Sequence, residues 1–229
     1  ANFTQVYEAW VRERVQSPYL KYFIELMGAT HAPVFYGLLV EWFGQKRLES
    51  VREEIVDALG NLGNADARRQ LLAHLGETLS ARVVDPPRAR SATRTLTALG
   101  KLSRSPRLTP AERADLVRKA LKSIPEGQTR LALHAAMQFF SYNPSPLPDD
   151  LKQWAAQTLT FALWLPDDTP EWVQGSERQK SILGYRHTIT ESLKKIVPEA
   201  PGPFLEAADR HSARYSGAYM AVAEKIGRA

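Results

Sequence analysis

The chain contains no cysteine. Disulfide staples and thiolate metal sites are thereby excluded, while the redox compartment stays open. Long apolar runs are missing too. The strongest, His31 to Gly44, is interrupted by Glu41 and falls short of the roughly 20 residues that a membrane-spanning helix needs. No basic leader followed by an apolar core stands at the front, so the expectation is a mature chain or a domain of something longer, with a cytoplasmic setting favoured. A GxSxG elbow, a Gly-rich phosphate loop and a Walker sequence are all missing, which removes the common nucleophile and nucleotide signatures.

Histidines number five, His31, His74, His134, His187 and His211, and none has HExxH spacing. His187 and Glu191 stand four apart and can share a helix face, which is half a metal site at most, since a site takes three or four ligands. A surface hydrogen bond or ion pair is the plainer reading. The acidic pairs Asp149-Asp150 and Asp167-Asp168 each sit beside a Pro at an expected helix start, where carboxylates offset the positive end of the helix dipole without any catalytic role. No catalytic, metal or cofactor-binding residue is assigned.

What is present is a repeat. Leu59-Gly60-Asn61-Leu62 returns 40 positions later as Leu99-Gly100-Lys101-Leu102, each closing an apolar helical stretch. A fixed helical period of this size is what stacked hairpins leave behind, because each unit can bury its apolar face only against the next. With 229 residues, 44% hydrophobic and 24% charged, the chain is expected to fold as an all-α, right-handed solenoid of antiparallel helix pairs, with about 11–13 helices.

Local signals support this. In the central unit, Val51, Ile55, Ala58, Leu59 and Leu62 mark a first helix, Gly63-Asn64 a break, and Leu71, Leu72, Leu75 and Leu79 a second. The next helix spans about Arg88 to Ser103. After it, Thr109 and Glu112 have capping-box spacing around Pro110, and Leu116, Val117, Ala120, Leu121 and Ile124 form one stripe. Ser17-Pro18 and Thr169-Pro170 are further helix starts. A third unit begins at Thr129 and continues through Leu151 to Leu165; Ile189, Leu193 and Ile196 suggest a degenerate fourth before a terminal helix around Ala213 to Ile226.

The arrangement of Val51 to Leu79, an apolar-striped first helix, a short turn and an antiparallel second helix, resembles the HEAT family. The resemblance is carried by roughly Val51 to Ile124. It implies one α-solenoid domain over 1–229: aromatic-rich capping helices over 1–47, repeats over 48–165 and irregular C-terminal helices over 166–229. Some HEAT-like proteins are enzymes. Deoxyhypusine hydroxylases hold iron through paired His-Glu motifs, and no histidine here is followed by Glu. HEAT-like DNA glycosylases and bilin lyases offer no working position that can be matched in this chain.

Two features bear on function. The first 43 residues carry Phe3, Tyr7, Trp10, Tyr19, Tyr22, Phe23, Phe35, Tyr36, Trp42 and Phe43, which read either as capping-unit core or as an exposed docking face, a choice that burial decides. The second is charge. Residues 82–130 hold 12 Lys/Arg against 4 Asp/Glu and no Phe, Trp or Tyr, whereas the whole chain nets +5. Such a band suits electrostatic docking better than base stacking, although polar helix faces are commonly charged anyway.

The expectation is a non-catalytic interaction module. Its partner is a protein with an acidic surface, met through Arg90, Arg94, Lys101, Arg104, Arg107, Arg118 and Lys122. Trp172, in an insertion that breaks the repeat rhythm, is a candidate aromatic anchor or a structural plug. Phosphate-backbone binding of nucleic acid is the alternative, and an enzyme with a solenoid cleft the third reading.

Overall fold

The structure, a computed structural model, describes residues 3–13, 18–81, 84–140, 147–164, 178–211 and 216–226. Among these residues there are 12 α-helices packed against one another and no strand. Among the described residues no helix is long and apolar enough to cross a membrane. The chain divides into two compact units, Ala1–Leu108 and Thr109–Ala229.

The first unit contains α1 (Phe3–Glu13), α2 (Leu20–Ala29), α3 (Phe35–Phe43), a 3-10 turn (Lys46–Val51), α4 (Arg52–Leu62), α5 (Ala65–Leu79) and α6 (Pro86–Ser103). Its starts and stops follow from local chemistry. Asn64 caps α5 by accepting the Ala67 N–H at 2.7 Å, and Asp85 caps α6 by accepting from Arg88 at 2.9 Å with Pro86 in the first turn. Each cap satisfies a backbone donor that the helix itself leaves unpaired. The N-cap places α6 two residues earlier than its apolar stripe suggests. Gly63 ends α4 in the left-handed region, at φ 73°, which costs glycine nothing.

Helix α4 lies between α2 and α6, while α3 packs on α4 and α5 packs on both α4 and α6. Ile24, Met27, Leu38, Leu39, Ile55, Leu59, Leu71, Leu75, Leu96 and Leu99 are all buried in this unit, each worth about 1.5–3 kcal/mol in removal from water. Two glycines set the spacing. A Cβ on Gly28 would lie 2.7 Å from the Ala58 Cα, and one on Gly60 would lie 2.8 Å from the Ala98 Cβ. The same small-on-small contact thus joins α2 to α4 and α4 to α6. It also exposes an earlier occurrence of the repeated pair, Met27-Gly28, 32 positions before Leu59-Gly60.

The N-terminal aromatics divide by burial. Phe35, Trp42 and Phe43 are core, and α1 rests on α2 and α3 through Trp10 against Phe23 at 4.7 Å and Tyr7 against Phe35 at 5.5 Å. Tyr19 and Tyr22 face solvent at 62% and 58% exposure, with Leu26 beside them on the same side of α2. On the opposite layer, His74 of α5 meets the Phe43 ring edge at 4.7 Å and the Ser91 hydroxyl at 3.1 Å. Burial pushes its pKa below the ordinary imidazole value, with Arg52 adding to the effect and Glu77 opposing it.

The second unit contains α7 (Pro110–Lys122), α8 (Thr129–Phe140), α9 (Asp149–Trp164), α10 (Arg178–Ile196), α11 (Gly202–His211), α12 (Ser216–Ala223) and a final 3-10 turn (Glu224–Ile226). The expected capping box is present: Glu112 N–H donates to Thr109 Oγ1 at 3.2 Å, and the Thr109 N–H donates to Glu112 Oε2 at 3.0 Å. Helix α9 packs against α8, α10 and α11, burying Leu151, Ala155, Leu159 and Leu163. At its start Lys152, only 8% exposed, donates to Glu199 at 2.5 Å and to Asp149 at 3.5 Å. The Glu199 hydrogen bond raises the Lys152 pKa despite burial, so this lysine stays charged and ties α9 to the turn after α10.

Two outcomes test these packing statements. Gly60→Ala is expected to lower stability in urea unfolding by about 1–3 kcal/mol through overpacking against Ala98. Gly76→Ala, on α5 with nothing within 4 Å of the added methyl, is expected to raise it by about 0.5–1 kcal/mol through helix propensity. His74 supplies the second. Its native pKa is depressed, so its contribution is fully present above the unfolded value and is lost as pH falls through the folded one. Stability is therefore expected to drop as pH falls below about 6.5, the ordinary imidazole value, and His74→Gln is expected to flatten that slope in a series of thermal melts.

Candidate functional site

Three helices of the first unit end at one place. The residues after α2, the last turn of α4 and the last turn of α6 with its following loop enclose a cleft of about 370 Å³. Its walls include His31, Asn61, Leu62, Lys101, Leu102 and Arg107. The repeated motif itself therefore contributes to the cleft: Asn61 and Lys101 hold equivalent places after the repeated glycines Gly60 and Gly100, as do Leu62 and Leu102.

The same register explains an unusual backbone. Three residues beyond Gly60, Gly63 adopts the left-handed conformation; three residues beyond Gly28, His31 does the same at φ 52°. A non-glycine residue there costs about 1–2 kcal/mol. The side chain gives something in return. Its Nδ1 lies 2.5 Å from the Asn61 carbonyl oxygen, and since a carbonyl only accepts, Nδ1 carries the proton and Nε2 is the remaining ring nitrogen. The bond satisfies one of the carbonyls that the end of α4 leaves without an intrahelical partner. The end of α6 closes itself: Gly100 O accepts from Ser103 Oγ at 2.8 Å, Lys101 O from the Arg104 N–H at 3.2 Å and Leu102 O from the Ser105 N–H at 3.0 Å.

Around these closed ends stand Lys101, Arg104 and Arg107, and no carboxylate lines the cleft among the described residues. Lys101 and Arg107 are exposed and Arg104 is half-buried. Part of this charge answers the negative ends of the helix dipoles, each worth about half an elementary charge. Arg107 is held by a short turn, its N–H donating to Ser105 Oγ at 3.3 Å and the Leu108 N–H to Ser105 O at 3.2 Å.

The other members of the sequence-predicted band go elsewhere. Arg94 of α6 pairs with Asp57 at 2.8 Å and Glu53 at 3.1 Å, both on α4. Arg118 of α7 pairs with Asp150 of α9 at 2.9 Å. These are exposed cross-helix ties worth about 0–1 kcal/mol each. Arg90 lies on the first turns of α6, about 16 Å along the axis from Lys101, and Lys122 ends α7 in the second unit. Both are exposed. Trp172, Asp167, Asp168 and the starts at Ser17 and Thr169 lie outside the described residues.

His187 and Glu191 do not come together as a ligand pair. Glu191 accepts from Lys194 at 2.7 Å, and that hydrogen bond holds its carboxyl below the usual range, while His187 is exposed. Among the described residues no group of three His, Cys, Asp or Glu is placed to hold a metal ion. His31 and Asn61 were not singled out by sequence, although a signal existed: both sit at fixed offsets from a repeated glycine.

No family model, no curated protein and no solved structure matches the chain.

The role of His31 can be measured. His31→Gly loses the bond to Asn61 but relieves the backbone, whereas His31→Ala loses the bond and keeps the strain. The Ala variant is expected to be the less stable of the two by about 1 kcal/mol in chemical denaturation.

Proposed function

We propose that this chain is a non-catalytic interaction module, a HEAT-like helical stack that binds a protein partner through an acidic stretch of its surface. The stack is supported by the repeated glycine-on-alanine contact that joins α2, α4 and α6 and by the α3 and α5 layer packed on it. The observation that carries the binding side is the cleft at the ends of the three helices, where Lys101, Arg104 and Arg107 stand with no acidic residue in the lining. Like charges gathered on a rigid wall raise the local potential and speed encounter with an acidic surface. Arginine adds a planar fork that takes a carboxylate through two parallel hydrogen bonds.

Phosphate-backbone binding draws on the same charge, but 82–130 lacks the aromatic side chains on which bases stack. Arg94 and Arg118 are also occupied by intramolecular carboxylates, which leaves a smaller field for a continuous polyanion than the residue count suggests. The two readings separate in one titration. Immobilised polyglutamate is expected to retain the protein at low salt and release it as salt rises. Binding random duplex DNA at least about tenfold tighter than polyglutamate, with a log–log salt slope steeper than about −3, would replace the protein-partner reading with the nucleic-acid one.

A further inference from the structure

The cleft at the ends of α2, α4 and α6 has a definite chemistry. Two exposed cations, Lys101 and Arg107, stand on its rim, and Leu62, Leu102 and Pro106 supply apolar lining. Leu62 and Leu102 are nearly fully buried and belong to the floor, so the accessible apolar surface of the three is that of Pro106, which is exposed. Several carbonyl oxygens at these helix ends are engaged: Asn61 O by His31, Gly100 O by Ser103, and Leu102 O by Ser105.

Size narrows the occupant. A volume of about 370 Å³ is at the small end of ligand pockets, which run to about 300–1,000 Å³. It admits one or two side chains. The lining is neither a bare cationic shelf, which would suit an inorganic anion, nor a purely apolar hole. It pairs an apolar seat with flanking positive charge, the complement of a peptide in which an apolar residue is flanked by Glu or Asp.

We propose that this cleft seats a short acidic peptide segment of the partner, with an apolar side chain resting on the exposed Pro106 and neighbouring carboxylates paired with Lys101 and Arg107. The inference rests on the protein-partner reading above and adds the place and the ligand chemistry. His31 marks the wall, its Nε2 being the ring nitrogen that Asn61 leaves unused.

The test uses a fluorescent peptide alternating Glu and Leu, its Lys-for-Glu counterpart, and polyglutamate, read by anisotropy against the full chain. Lys101→Glu with Arg107→Glu is compared with Arg88→Glu plus Arg90→Glu, which changes net charge equally at the far end of α6. The cleft double is expected to weaken binding of the Glu-Leu peptide by about tenfold or more and the far double by no more than about twofold. The Lys-for-Glu peptide is expected not to bind. On the unmodified chain, the His31 ring signals, assigned with His31→Gly, are expected to shift as peptide is added. Should the charge-reversed cleft double fail to fold, Lys101→Gln with Arg107→Gln and the His31 signals decide the matter. Equal weakening by the two doubles, or unmoved His31 signals on a chain that still binds polyglutamate, overturns the cleft and leaves the broader reading standing. A chain that binds neither the peptide nor polyglutamate overturns both.

Discussion

Close approach of helices at glycine is the constraint on which the first unit depends. Gly28 receives the backbone of Ala58, and Gly60 receives Ala98, at distances that leave no space for a methyl group. Larger side chains at either glycine would push α2 from α4, or α4 from α6, and the leucines and isoleucines between them would lose the dense contact that gives a core its stability. The contact also fixes register along the helix axes. Because each helix ends a few residues beyond its glycine, the ends of α2, α4 and α6 fall at one place, and His31, Asn61 and Lys101 become neighbours although 30 and 40 residues of chain separate them.

Charge in the basic segment is divided between two uses. Arg94 and Arg118 are matched by carboxylates on neighbouring helices of their own units, so their charge is largely answered at home. Lys101 and Arg107 stand beside helix ends where the Asn61, Gly100, Lys101 and Leu102 carbonyls are engaged by His31, Ser103, Arg104 and Ser105. The second unit solves a related problem differently: Lys152 is buried against Glu199 and Asp149, and a charge so placed persists only because its partners compensate the lost hydration. Similar residue types thus act as ties, as a buried pin or as an outward-facing group, depending on what lies across from them.

Much of the helical layout was legible locally. The capping box at Thr109 and Glu112, the break at Gly63-Asn64 and the stripe from Ile55 to Leu62 depend on residues within a few positions of one another, and they appear where the sequence indicates. Asp85 moved the start of α6 upstream because a capping carboxylate and two prolines outweigh the apolar pattern in choosing the first turn. The Met27-Gly28 occurrence was hidden by a Met in place of Leu and by a spacing of 32 rather than 40. The aromatic block could not be apportioned in advance, since Trp42 and Tyr22 have the same composition signal and opposite burial.

By itself the sequence determined the helical class, the absence of disulfides, the glycine-marked repeat and the excess of positive charge over 82–130. These are properties of local propensity and of counting, and they need no knowledge of which helix meets which. Only the tertiary structure decided that Arg94 is spent on Glu53 and Asp57 while Lys101 and Arg107 face a cleft without acids. It also decided that the left-handed His31 closes the end of a helix 30 residues away. The physical reason is that pairing, burial and helix-end satisfaction are set by through-space neighbours, and those follow from the glycine-spaced packing rather than from the order of residues along the chain.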